Sequence, residues 1–374
     1  MHLSYWEYKT WLSDIDFTIV GSGIVGLNSA IHLKKRFPDA RILILERGML
    51  PQGASTKNAG FACFGSISEI LADLDIHSEE AVFKLVEQRW QGIQSLRTLL
   101  GDENIGFKAW GGHELFLEKD ETRYQNCLDR LDEANQLLGP IFKKAPFVIQ
   151  DNHFQFKKIQ PSYISHQFEG QIDTGQMMQH LLHLAHQKGI QVLNNVEVMS
   201  FLENTSEVSI VTDKFEFKTS KLLITTNGFA SQLLDEEVQP ARAQVLLTEP
   251  IENLHIKGTF HFDEGYFYFR NIDNRILFGG GRNLDFEGEQ TTSFGQTDHI
   301  QNKLEHYLTE LVLPDREIKI AHRWSGIMGV GHQKTPIIKQ VSDHVFCAVR
   351  LGGMGVAIGS HVGQQLAQRV TDKI

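Results

Sequence analysis

Apolar residues follow two different rhythms along this chain. Phe17-Thr-Ile-Val20 and Ile42-Leu-Ile-Leu45 are short, nearly continuous apolar runs, the pattern of strands covered on both faces. Between them, residues 27–36 place apolar side chains at helical spacing. Ser4 and Glu7 have the spacing of a capping box, so a short helix is expected to precede the first strand and pack against the domain that this strand opens. Residues 66–100 then read as helical, 107–117 alternate like a strand, and 121–138 read as helical again. Residues 176–187 (helix) and 191–201 (strand) resume the α/β rhythm, and Leu222-Leu-Ile-Thr225 is a further buried strand. Val245-Leu-Leu-Thr248, Tyr266-Phe-Tyr-Phe269 and Arg275-Ile-Leu-Phe278, separated by turn residues, predict an antiparallel sheet in a second domain. A strand at 345–349, a loop at 350–355 and an amphipathic helix ending near Val370 close the chain.

The first strand-to-helix turn is Gly21-Ser22-Gly23-Ile24-Val25-Gly26. Gly21 allows a tight turn, Gly23 lets backbone approach a pyrophosphate, and Gly26 lets the helix pack closely on the strand with its N-terminus toward the phosphates. Glu46 ends the next strand, twenty residues after Gly26, where a carboxylate accepts hydrogen bonds from a ribose 2′-hydroxyl and repels a 2′-phosphate. This is the signature of an adenine dinucleotide site, and both NAD and FAD fit it.

Composition narrows the classes. With 374 residues, 41% of them hydrophobic, the chain can bury two large cores. The 46 acidic against 36 basic residues give a formal charge of −10, and there is no basic block to track a nucleic-acid backbone. Cys63, Cys127 and Cys347 are scattered, odd in number and without CxxC spacing, which argues against a disulfide framework or iron–sulfur cluster. No apolar run reaches membrane-spanning length, and the N-terminus lacks a basic region followed by an apolar segment; a cytoplasmic protein is expected. His180, His183 and His186 spread around a helix rather than converging, so no metal site is expected.

After Glu46 and Arg47 comes a loop dense in small residues, Gly53-Ala-Ser-Thr-Lys-Asn-Ala-Gly60. Together with Gly21-x-Gly23-x-x-Gly26, Glu46, Glu169-Gly-Gln-Ile-Asp173, Thr226-Asn-Gly228, Arg242-Ala-Gln244 and Gly352-Gly-Met-Gly355, it resembles the flavoprotein oxidoreductases that include D-amino acid oxidase, glycine oxidase, sarcosine oxidase and γ-glutamylputrescine oxidase. The resemblance implies a Rossmann-like FAD-binding domain with an inserted α+β substrate domain built on an antiparallel sheet. It divides the chain into residues 1–65, 168–235 and 319–374 for the FAD-binding domain and 66–167 and 236–318 for the substrate domain. By the same resemblance FAD runs alongside Ser55, Thr56, Lys57, Asn58, Ala59, Gly60 and Phe61. Val196 reaches the adenine through its backbone, and Thr226, Asn227 and Gly228 close over the pyrophosphate. Gly352, Gly353, Met354, Gly355 and Val356 bring a helix N-terminus to the flavin, where the dipole favours its reduced form. Neither Cys63 nor Cys347 lies in a covalent-attachment motif, so FAD is expected to be held non-covalently.

Flavin oxidation of a C–H bond needs the donor carbon held against N5 in a dry pocket, with a neutral amine whose lone pair assists. Tyr266 aligns with a family position near substrate, and Tyr268 shares its face. Met328 stands where glycine oxidase-like proteins carry a carboxylate-binding arginine, and Leu277 where sarcosine oxidase-like members carry a lysine that promotes reaction with oxygen, so oxygen or another acceptor remains open. Arg350, beside the flavin where the family has glycine, is the expected replacement cation, with Arg242, Arg282 and Lys57 as alternatives and a structural ion pair as its other reading. These features predict oxidation of an amine or amino acid at a C–N bond. The alternatives are a 2-hydroxyacid dehydrogenase using His113 or His332 as base, a non-catalytic flavin-binding protein, and an NAD-dependent dehydrogenase.

Overall fold

The computed structural model describes residues 3–372. Ile15–Val20 and Ile42–Glu46 lie side by side in the parallel centre of an eight-stranded sheet, in the order Ile337–Gln340, Val345–Val349, Glu216–Ile224, Ile15–Val20, Ile42–Glu46, Gln191–Asn194; Ile337–Gln340 is antiparallel at one edge, and Val208–Thr212 and Val198–Glu203 add antiparallel strands beside Glu216–Ile224. Both faces are covered, which is why the runs are apolar throughout. Ile42 and Ile44 join the core under the helices Ile24–Arg36, Thr174–Gln187 and Gly355–Thr371, whereas Leu43 and Leu45 meet Val196, Val208 and Ile210 on the opposite face.

The second sheet also has eight strands, in the order Ile320–Val330, Gln239–Thr248, Arg275–Gly280, Phe267–Ile272, Thr259–Phe262, Gly112–Glu114, Ser162–His166, Phe147–Asp151. All its neighbours are antiparallel except Thr259–Phe262 with Gly112–Glu114. Strand alternation separates its two faces. Phe260, Phe262, Phe267, Phe269 and Phe278 turn to a core shared with Ile300 and Leu304 of the helix Asp298–Tyr307. Val245, Leu277 and Tyr268 turn the other way, onto Ala59 and Phe61 of the small-residue loop. The sheet therefore lies over the turn that the glycines build.

Several expected elements are corrected. Residues 66–100 form two helices, Ile67–Ile76 and Glu79–Leu100, because Ser78 caps the second through Ala81 N–H at 3.3 Å. The segment 121–138 is likewise two helices, Glu121–Asp129 and Leu131–Phe142. Of 107–117 only Gly112–Glu114 is strand. Residues 191–201 split at Asn195, whose φ of 58° is left-handed, so Gln191–Asn194 continues the parallel sheet while Val198–Glu203 pairs with Val208–Thr212. The Ser4–Glu7 capping box forms, yet Tyr5 and Trp6 stay exposed and only Leu12 reaches the core. Ile320–Val330, expected to open the last part of the cofactor domain, pairs along its whole length with Gln239–Thr248 in the second sheet.

Candidate functional site

A cavity of 720 Å³ runs from the Gly21–Gly26 turn to the face of the second sheet that carries Val245 and Tyr268. At the turn, Gly21 has φ of 102° and donates its N–H to the Leu45 carbonyl at 2.8 Å. A Cβ on Gly26 would stand 2.0 Å from the Gly21 carbonyl oxygen, so only glycine lets the helix start this close to the strand. The first helical N–H, that of Ile24, points into the cavity wall and is accepted by Ser55 Oγ at 2.9 Å. The helix start and the Ser55 hydroxyl thus border the place where a pyrophosphate can dock.

Glu46 is buried and fully engaged. Its Oε2 accepts Ser22 N–H (3.1 Å) and Ser22 Oγ–H (2.8 Å), and its Oε1 accepts Gly48 N–H (3.0 Å) and Gln52 N–H (3.4 Å). Arg47, the next residue, stacks its guanidinium 3.8 Å over the Phe229 ring. Both Glu46 and Arg47 border the cavity. Val196 borders it too, but its N–H is donated to the Glu46 carbonyl (3.0 Å); of the backbone pair expected to reach an adenine, the donor is committed elsewhere.

Three loops close the middle of the cavity. Asn58 holds the small-residue loop by donating to the Ser55 carbonyl (2.8 Å) and accepting Gly60 N–H (2.8 Å). Lys57 carbonyl accepts Trp324 Nε1–H at 2.9 Å, tying this loop to the second sheet. Asn227 Oδ1 accepts Leu351 N–H (3.1 Å), joining Thr226–Gly228 to the glycine loop before Gly355–Thr371. Thr226 Oγ1 borders the cavity and is buried without a hydrogen-bond partner among the described residues. An orphaned hydroxyl, a helix N-terminus and a carboxylate acceptor on one cavity wall are groups that a dinucleotide can satisfy. FAD fits this lining. Thr56 is exposed on the loop's outer side, with its hydroxyl donated to the Pro51 carbonyl at 2.6 Å, which takes it off the cavity wall.

At the far end stand Tyr266 and Tyr268. Tyr266 precedes the strand, its N–H bound to the Asp263 carbonyl (3.0 Å) and its ring set edge-on to Phe286 at 5.7 Å. Tyr268 meets Phe61 edge-on at 5.5 Å, and burial pushes its hydroxyl up to about 12. Met328 and Leu277 are where the sequence places them, Met328 on the cavity wall and Leu277 in the small cluster with Ala59.

Arg350 borders the cavity, but its guanidinium is engaged within the protein. Its φ of 64° turns the chain, and its guanidinium donates to the Thr335 carbonyl (3.2 and 3.1 Å), the Glu237 carbonyl (3.4 Å) and Glu237 Oε2 (3.4 Å). It fastens the loop after Ile320–Val330 and has little left for a ligand. Arg242 is likewise spent, in a bidentate pair with Glu289 at 2.9 and 2.6 Å. Arg282 differs: it lines the cavity, lies 4.8 Å over the Phe286 ring, and enters no ion pair among the described residues. His113 is buried in the second sheet, with Nδ1 2.7 Å from Ser165 Oγ and burial lowering it to about 3, so it is no base for this cavity; His332 is on the rim.

Comparison with known proteins agrees with this architecture. The sequence profile of the DAO family, described as FAD dependent oxidoreductase, matches residues 16–369. The chain is 22% identical to the probable oxidoreductase OrdL of Haemophilus influenzae, covering 96% of this chain and 84% of that one. It is 23% identical to the sarcosine oxidase subunit beta of Rhizobium meliloti, over 86% of this chain and 76% of that one. Among solved structures, glycine oxidase from Geobacillus kaustophilus superposes with a TM-score of 0.78 at 19% identity, over 96% of this chain and 95% of that one. With the profile spanning nearly the whole chain and the glycine turn, Glu46 and the FAD-compatible lining in place, the protein belongs to the DAO family of FAD-dependent oxidoreductases.

Proposed function

We propose that the protein oxidises the C–N bond of an amine or amino acid, giving an imine that hydrolyses to a carbonyl compound and an amine. The observation that carries this reading is the far end of the cavity, where two tyrosines and an unpaired guanidinium face the same space. Relatives named for glycine and sarcosine oxidation support it, since both names denote amines carrying a carboxylate.

FAD supplies a two-electron acceptor at N5. In this reading Glu46 takes the ribose, the Gly21–Gly26 turn and Ser55 take the pyrophosphate, Lys57–Phe61 flank the ring system, and the Gly352–Val356 helix start faces it. Arg282, rather than Arg350, accepts a substrate carboxylate through its planar fork. Tyr266 orients the substrate, while Tyr268, Phe61 and Leu277 keep water from the donor carbon. A neutral amine needs no protein base. Burial raises the Cys63 thiol well above its ordinary value, disfavouring the thiolate and with it a covalent flavin link. Cys63, Cys127 and Cys347 are all free, which supports a reducing, cytoplasmic location. Oxygen or another acceptor takes the electrons afterwards.

The test is anaerobic mixing of FAD-loaded protein with amines, amino acids and 2-hydroxyacids while the flavin absorbance is followed. Bleaching by an amino acid or amine is expected. Bleaching by 2-hydroxyacids alone would overturn the reading in favour of an alcohol dehydrogenase, and no bleaching by either class would favour a non-catalytic flavin carrier.

A further inference from the structure

Arg270, on the strand Phe267–Ile272, is 2% exposed. Its Nε and Nη1 have no hydrogen-bond partner, and the guanidinium enters no ion pair among the described residues. A buried charge left without a partner is costly, and proteins rarely keep one without use for it. The nearest negative charges, Asp173 and Asp273, act on it only at a distance, and burial lowers it to about 10.

Its position explains what it faces. Arg270 lies two residues beyond Tyr268, on the same side of the sheet, and is cross-strand partner to Leu277. Its guanidinium is pressed against the backbone of Gly60: a Cβ there would stand 2.9 Å from Nη2 and 3.1 Å from Cζ. Gly60, Phe61 and Tyr268 all line the cavity, so the charge sits one backbone thickness behind the cavity wall. Across a low-dielectric wall, a single charge acts strongly on an anion on the other side.

We propose that Arg270 is an electrostatic positioning residue that acts through the Gly60 backbone to favour the anionic reduced form of FAD, raising the cofactor's reduction potential. The inference rests on the placement of the ring system beside Lys57–Phe61. Hydride leaving a neutral amine carries two electrons and one proton to the flavin, so the substrate becomes a cation and the reduced flavin an anion. The anion is the partner that Arg270 lacks within the protein.

The test compares wild type, Arg270→Gln and Arg270→Lys as FAD-loaded proteins, by dye-equilibrated potentials and by titration with sulfite, which bonds to N5 of oxidised flavin and leaves an anionic adduct. Arg270→Gln is expected to weaken sulfite binding at least about tenfold and to lower the potential, about 30 mV for each tenfold in a two-electron couple. Arg270→Lys restores wild-type behaviour at low pH and loses it as the buried ammonium discharges below its ordinary pKa. Asp173 and Asp273 are the carboxylates acting on this position, while the Tyr268 hydroxyl beside it is pushed up to about 12 and stays neutral there. If Arg270→Gln fails to retain FAD, the lysine variant decides. Wild-type sulfite affinity and potential in Arg270→Gln, or a lysine variant that follows the wild-type pH profile, would overturn the proposal. A wild-type protein that never yellows with FAD would overturn both it and the cofactor placement.

Discussion

Ser22 grips Glu46 twice, through its N–H and its hydroxyl, both on the same carboxylate oxygen at 3.1 and 2.8 Å. With Gly48 and Gln52 on the other oxygen, the carboxylate is held by four donors before any ribose arrives. Glu46→Gln puts an amide NH2 against one of those donor pairs and leaves it unsatisfied. The expected result is weaker FAD binding, by about tenfold or more, with a stability loss of about 1–3 kcal/mol in the apoprotein. FAD fluorescence quenching and apoprotein melting check the two effects separately.

Arg282 and Arg350 should fail in opposite ways. Arg282→Gln is expected to raise KM for an amino-acid substrate at least about tenfold, equivalent to about 1.4 kcal/mol, while FAD content and melting temperature hold. Arg350→Gln strands the Thr335 carbonyl and Glu237 and should cost about 1–3 kcal/mol of stability. Steady-state kinetics on melt-matched proteins distinguishes them; a KM change confined to Arg350→Gln would reverse the assignment.

Stability should pass through a maximum at mildly acidic pH. Burial pushes Glu169 up from 4.5 to about 8 and Glu114 up from 4.5 to about 7, so the unfolded chain loses these protons first and stability falls as pH climbs across those windows. Burial lowers His166 and His113 from 6.5 to about 3, so the unfolded chain gains protons first and stability falls as pH drops from 6.5 toward 3. Melting temperature against pH should show both flanks, and Glu169→Gln should flatten the alkaline one. An alkaline flank as steep in that variant as in wild type would count against the burial argument for Glu169.

The first strand, turn and helix were legible because each glycine has a local mechanical reason and Glu46 falls at a spacing the fold imposes. The two-face burial of Ile42–Glu46 was equally readable as an unbroken apolar run. Which reading of Arg350 the packing favours was not legible, because its partners are a carbonyl at Thr335 and the side chain and carbonyl of Glu237, and carbonyl acceptors leave no mark in a sequence. Ser162–His166 went unnoticed because polar residues interrupt it although it is buried throughout, and Phe147–Asp151 because only three apolar residues precede its polar end. Arg270 lay in plain view on the Tyr266–Phe269 run's far end, but only tertiary packing shows that nothing neutralises it.

Ile320–Val330 begins beside Gln239–Thr248 and ends where Gly329 packs on Asn227, while Trp324 bonds the Lys57 carbonyl. One strand is thereby shared property of two functions. Anyone exchanging this sheet between relatives would meet this first: a crossover placed at residue 319 inherits a sheet edge from one parent and its neighbour from the other, whereas one placed after Val330 keeps that pair together and moves the matching to the contacts of the sheet with Asn227 and with the 57–61 loop.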